Sequence, residues 1–288
     1  MPAIRMFLLA FGTERVPKAI SVLGAGREIV TEPIYGAVVE TSEGLVLLDT
    51  GIGRAALDDV EALTAIYGSG HLPVGPVGAE SAGDPLAVAL ASVDLTVADL
   101  GLAAISHLHL DHTGGLPLLA RAGVRVAVQK EELDYGRHRA AAGTERDVAF
   151  YRSDYLDSDH LDSDHLDSDH LDSDSDHPID WLCLDGGAEL APGVSVLPTP
   201  GHTPGHQSFR VDLAGTGTWI LTADATDLAQ NLHQATPCGF SAEPGDAPRA
   251  AASVHALLEL AERTDARMLP GHDPIVWKAA WHPPGGHT

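Results

Sequence analysis

The sequence predicts a layered α/β fold in a single domain spanning residues 1–288. Short apolar runs of strand character alternate along the chain with helical patterns and with turns rich in Gly and Pro. Several of these runs end in a loop that begins with His or Asp, which would gather scattered polar side chains along one edge of a sheet system. A length of 288 residues with 44% hydrophobic content is enough to bury a sizeable core.

The elements follow in order. Residues 6–11 read as the first strand: the run is too short for a signal peptide and lacks a small-residue cleavage pattern. Residues 37–40 and 45–48 flank the turn Thr41-Ser-Glu-Gly44 and predict a hairpin. Residues 56–67 carry a helical pattern, whereas 68–83 hold too much Gly and Pro for regular structure. Residues 102–106 read as a buried strand. Helices are expected at 116–121 and 130–135, around a strand at 124–128. The second half repeats the plan, with strands near Trp181, Val194, Ser208 and Trp219, a helix over 248–263 and an apolar run at 267–269.

A tandem repeat, Leu-Asp-Ser-Asp-His, begins at Leu156, Leu161 and Leu166, with a degenerate copy ending at His177. Leucines five apart step about 140° around a helix and alternate faces along a strand, so no continuous apolar stripe forms. The stretch 156–177 is therefore expected to be a solvated loop or at best a short irregular helix, an expanded insertion without a function of its own. The alternative is a metal-collecting arm, because His160, His165, His170 and His177 lie among carboxylates. A calcium loop is excluded by the missing turn glycine and closing glutamate.

The net charge of −24 disfavours nucleic acid as a partner, since phosphate binding needs clustered Lys and Arg. No apolar run approaches the length of a membrane helix. Cys183 and Cys238 have neither metal nor redox spacing and are expected to be reduced, which suits the cytoplasm. Nothing sets the oligomeric state; a homodimer is one arrangement the chain accommodates.

The most informative run is Ser106-His-Leu-His-Leu-Asp-His-Thr-Gly-Gly115, in which His107, His109, Asp111 and His112 supply three imidazoles and a carboxylate at the end of a buried strand. That is the N/O donor set zinc prefers. Downstream, Thr199-Pro-Gly-His202-Thr-Pro-Gly-His206, Asp224 and Pro270-Gly-His272-Asp273 each follow a strand-like run. Pro204-Gly205 breaks the helical geometry that would align His206 with His202, so His206 is expected either to support the site from behind its ligands or to be structural. Two divalent ions about 3.5 to 4 Å apart can share a hydroxide as nucleophile and polarise a carbonyl.

On these motifs, together with Val46-Leu-Leu-Asp-Thr-Gly51, the chain resembles the metallo-β-lactamase superfamily and, within it, the N-acyl homoserine lactonases. The resemblance implies a four-layered αββα sandwich and two divalent metal ions, as Zn2+. It implies that His107, His109 and His202 hold one ion, that Asp111, His112 and His272 hold the other, and that Asp224 bridges them. Asp111 would relay a proton to the leaving oxygen, and Asp49 would fix ligand orientation or simply cap its strand. The implied activity is hydrolysis of N-acyl homoserine lactones, small-molecule signals of bacterial quorum sensing. The loop 68–83 would overhang the metals and help choose the substrate, or be a passive connector, and Phe240, Trp277 and Trp281 would either line an acyl-chain pocket or pack.

One position departs from the lactonase pattern. Three residues after the bridging aspartate those enzymes carry a tyrosine that donates to the substrate carbonyl, and here the residue is Asp227. An ionised carboxylate cannot donate that bond. Either the metals alone stabilise the oxyanion, or Tyr35 or Tyr67 substitutes, or the substrate is another lactone or ester, such as a pyridoxolactone-like ring. His109 argues against flavin-linked di-iron relatives, which carry Glu there, and Asp224 against true β-lactamases, which lack the bridge. Sixteen residues follow His272, too few for the helical domain of glyoxalase II. An iron-dependent thiol oxygenase of the same fold would not need seven ligands. A non-catalytic metal store would make the acidic repeat the functional part.

Overall fold

The computed structural model describes residues 1–76, 83–156 and 177–288. The body of the repeat insertion and residues 77–82 of the expected overhanging loop therefore lie outside the described residues.

Six strands form one sheet in chain order: β1 (Arg5–Pro17), β2 (Ile29–Thr41), β3 (Gly44–Leu48), β4 (Leu100–Ala104), β5 (Arg125–Gln129) and β6 (Trp181–Leu184). The second sheet runs β11-β10-β9-β8-β7, from β7 (Ala188–Ala191), β8 (Val194–Pro198), β9 (Gln207–Leu213), β10 (Gly217–Ala223) and β11 (Arg267–Pro270). The hairpin appears as expected, with Thr41 paired to Gly44 and Ala37 to Leu48.

Side-chain alternation makes the layers. Met6 and Leu8 of β1, Ala37 and Val39 of β2, and Val46 and Leu48 of β3 enter one core together with Val194, Val196, Phe209, Trp219 and Leu221 of the second sheet. The residues between them, Leu9, Phe11, Val38 and Leu47, turn to the opposite face and pack with Leu86, Leu90, Leu116, Leu119 and Leu133 from outer helices. Behind the second sheet, Ile220 meets Leu257 of the helix Ala247–Thr264. A period of two along each strand thus builds a core between the sheets and one behind each, giving four layers in the order helix, sheet, sheet, helix.

The topology also places the loops. β3, β4 and β5 are mutually parallel, so the segments after Leu48, Ala104 and Gln129 leave from one edge. In the second sheet β8, β10 and β11 share a direction, which puts the segments after Pro198, Ala223 and Pro270 on one edge as well. Gln207 ties the two edges: its backbone N–H donates to Ser106 O at 2.9 Å and its amide to Ile105 O at 2.7 Å.

The expected helix over 56–67 is in fact two, Arg54–Asp58 and Val60–Tyr67, divided at Asp59, whose carboxylate accepts from Ala62 N and caps the second. The helix Pro85–Ala91, capped by Asp84, and strand β7 were not read from the sequence. No described helix is long and apolar enough to cross a membrane.

Candidate metal centre

Every predicted donor lies in the segments that leave these edges, Asp111 and His112 on the short helix Leu110–Thr113, and all are buried. His107 to His112 follow β4, His202 follows β8, Asp224 follows β10 and His272 follows β11. The structure gathers them into two clusters, His107, His109, His202 and Asp224 in one, and Asp111, His112 and His272 in the other. Within each, one donor atom per residue lies within 4.8 Å of the others.

Asp224 faces both clusters. Its Oδ2 is 3.6 Å from His107 Nε2 and 3.3 Å from His202 Nε2, while its Oδ1 is 3.2 Å from His112 Nε2 and 3.1 Å from His272 Nε2. His202 Nε2 and His109 Nδ1 converge at 3.1 Å. Asp111 Oδ2 is 3.3 Å from His112 Nε2 and 3.7 Å from His272 Nε2. His107 Nε2 and His112 Nε2 are buried without a hydrogen-bond partner. Buried imidazole nitrogens aimed inward beside carboxylates and left unpaired are costly unless a cation takes them up, so these residues fit divalent metal ions.

The electrostatics divide the same way. Burial, then neighbouring imidazoles, hold His107 and His109 well below the ordinary range, so both present neutral nitrogens. At His112 burial opposes charge, but Asp111, Asp224 and Asp49 overcome it and raise the pKa well above the ordinary value. For Asp224 burial acts upward and is outweighed by His112, His272 and His107, which hold the carboxylate ionised.

Residues behind the donors set their direction. Asp49, at the end of β3, accepts from Ser106 N at 2.6 Å through Oδ1 and lies 3.0 Å from His112 Nδ1 through Oδ2, so it does more than cap its strand. His206 is not among the donors. Its Nδ1 donates to Thr199 O at 3.1 Å, which leaves Nε2 to accept the backbone N–H of Asp224 at 3.2 Å. Burial, then His202, push its pKa down to about 3, consistent with a neutral ring that positions the Asp224 backbone. His272 Nδ1 donates to Pro33 O at 2.9 Å, which aims Nε2 at Asp224.

Sequence reasoning missed three acids. Glu132, on the helix Lys130–Ala141, accepts Leu108 N at 3.0 Å and Gly205 N at 2.9 Å, clasping the loops of His107 and His202 with one carboxylate. Glu14 and Glu32 stand directly opposite each other in the β1–β2 register, both buried. Like charges so placed repel. Burial, then Asp111, push the Glu14 carboxyl up to about 8, while Ser21 donates to Glu32 at 2.6 Å. Alternation along the strands carried the only available signal, a Glu at an inward position of each.

A cavity of about 410 Å³ opens over the clusters. Asp111, Asp224, Glu14, Glu32 and Asp227 line it, with Tyr67, Ile66 and Phe240 as its apolar wall. Phe240 lies 5.5 Å from the His109 ring and 5.7 Å from His202. Trp277 is instead buried in the core between the sheets and Trp281 is 45% exposed, so of the three aromatic candidates only Phe240 reaches the cavity. Tyr35 is also away from it, its hydroxyl donating to Asp273 O at 3.2 Å. Burial, then Asp224, push Asp227 well above the ordinary carboxylate range.

The sequence pattern of the metallo-β-lactamase superfamily matches residues 32–272, which contain every donor of both clusters. An N-acyl homoserine lactonase of Bacillus cereus is 27% identical over 242 residues, 84% of this chain and 81% of that protein. The N-acyl homoserine lactonase AttM of Azorhizobium caulinodans is 33% identical over 188 residues, 65% of this chain and 64% of its own. Among solved structures, a B. thuringiensis AiiA mutant with N-decanoyl-L-homoserine bound at the active site shares the fold at TM-score 0.75 and 22% identity, covering 97% of both chains. AidC, a dizinc quorum-quenching lactonase, does so at TM-score 0.59 and 19% identity, covering 93% of this chain and 87% of its own. With its fold and donor loops in that arrangement, the chain belongs to the metallo-β-lactamase superfamily.

Proposed function

We propose that this protein is a dinuclear zinc hydrolase that opens the lactone ring of N-acyl homoserine lactones and so quenches a quorum signal in the cytoplasm. The observation that carries this reading is Asp224, which turns one carboxylate oxygen to each of two donor clusters. The curated lactonase relatives supply the substrate class.

His107, His109 and His202 would hold one ion, Asp111, His112 and His272 the other, and Asp224 both. When bound, the pair supplies Lewis acidity toward the ester carbonyl and toward a water molecule. The protein supplies the rest. Asp49 and His206 keep His112 and Asp224 in place. Asp111, on the cavity wall, accepts the proton of the attacking water and returns it to the ring oxygen as the C–O bond breaks, yielding the hydroxy acid. Phe240 and Ile66 cover the acyl side and exclude water. Tyr67 lines the same cavity and brings a phenol into it.

A second reading within the class has its own support. Glu14, Glu32 and Asp227 make the cavity more acidic than a plain alkyl chain needs, which favours a more polar lactone such as a pyridoxolactone-like ring.

The test is metal content of the purified protein, with proton release on short- and long-chain acyl homoserine lactones and an Asp224→Ala control. Two metals per chain, with turnover lost in the control, are expected. Two metals without turnover would sink the acyl homoserine lactone assignment and leave the polar lactone, whereas a protein that takes up no second ion would sink both.

A further inference from the structure

We propose that Asp227 is a fifth protein ligand of the second metal position, alongside Asp111, His112, His272 and the shared Asp224. This rests on the two-metal reading above and adds a donor that the lactonase pattern, with tyrosine here, does not contain.

The first observation is placement. Donor atoms of Asp224, Asp227 and His272 lie within 4.8 Å of one another. The second is satisfaction: Asp227 is 4% exposed, and its Oδ1 is buried with no hydrogen-bond partner. Such a buried group keeps its proton when metal-free and ionises only with a cation beside it, which is the state a ligand carboxylate takes. The third is rigidity. Asp224 and Asp227 share a tight turn in which Ala225 N donates to Thr222 O and Thr226 N to Ala223 O. The turn is pinned to the His272 loop by Gly271 N to Thr226 O and His272 N to Asp227 O, both 2.8 Å. The backbone of Asp227 is therefore held beside the donor cluster by hydrogen bonds that also hold His272.

The consequence is an asymmetric pair. The first position has three imidazoles and one carboxylate, whereas the second has three carboxylates and two imidazoles. Oxygen-rich sets suit harder ions, so the second position shifts toward Mn2+ or Fe2+ relative to the first.

Metal-free protein titrated with Co2+ tests this, read by calorimetry and by ligand-field absorption for the wild type, Asp227→Asn and Asp227→Ala. The wild type should bind two equivalents. Both variants should keep one at unchanged affinity and bind the other about tenfold or more weakly. The absorption of that weakened equivalent should intensify as its coordination number drops, and Mn2+ should compete less well with Zn2+ for it. Equal affinities and identical spectra in both variants would overturn the assignment while leaving the hydrolase intact. A wild type that binds no metal would overturn both. Circular dichroism of the metal-free variants checks that they fold. A crystal structure of the metal-loaded wild type needs no variant: an Asp227 oxygen about 2.0–2.2 Å from the ion supports the assignment, and one beyond bonding range overturns it.

Discussion

Asp49 has a backbone φ of 60°, a left-handed conformation that costs a non-glycine residue about 1–3 kcal/mol. Its N–H to Ala104 O and its carboxylate contacts to Ser106 N and His112 Nδ1 hold it there. Its orienting role was anticipated through the resemblance, on Asp49-Thr-Gly51 at a strand end, with a simple strand cap as the alternative. Asp154 was not legible, because its meaning depends on a partner far along the chain. It is 3% exposed, accepts from Thr113 Oγ1 at 2.9 Å, and burial pushes its pKa up to about 7. The folded state thus holds this proton more tightly than the unfolded chain, whose carboxyl titrates near about 3.9. Its contribution is fully present below that value and lost as pH rises to about 7. In urea denaturation, the stability of the wild type relative to Asp154→Asn should fall as pH rises from about 4 to about 7 and level off above, at no more than about 1.4 kcal/mol per pH unit. A pH-independent difference would show that Asp154 ionises in the fold as freely as in the unfolded chain.

Among elements, those with a strong period were legible and those set by a single polar contact were not. The apolar runs at 6–11, 37–40 and 45–48 were enough to read a first strand and a hairpin, whereas the break at Asp59 and the short helix Pro85–Ala91 depend on one capping carboxylate each. Glu132 is the clearest case. On sequence it is one acid among the polar residues of the helix Lys130–Ala141, yet it is completely buried and joins the two ligand loops, which otherwise belong to different sheets. Removing it orphans two buried N–H groups, each worth about 1–3 kcal/mol. Glu132→Ala should therefore lose about 2 kcal/mol or more in urea denaturation of the metal-free protein and bind the first metal more weakly. Glu132→Gln, which retains one good acceptor, should fall between the two. If Glu132→Ala kept both the wild-type midpoint and metal affinity, the clasp would have no mechanical role.

At the scale of the whole molecule, the αββα order came from the resemblance carried by the His and Asp motifs, and the alternation of strands and helices was compatible with it. The sequence also singled out the Leu-Asp-Ser-Asp-His repeat. Its body, 157–176, lies outside the described residues, but its flanks do not. Tyr155 and Leu156 on one side, and Ile179 and Trp181 on the other, pack against the same core behind the first sheet. Both ends are thus anchored independently of what joins them, and all seven proposed metal donors, with Asp227, belong to other segments. Replacing 157–176 by a Gly-Ser linker removes nine aspartates and takes the net charge from −24 to −24 + 9 = −15. Shortening a loop changes its closure entropy only slowly, by about 0.6 kcal/mol for each halving of length, so the thermal midpoint should shift by only a few degrees. The shortened protein should keep two metals and its turnover. Loss of most bound metal would instead make His160, His165 and His170 part of a store, with the sandwich as its support.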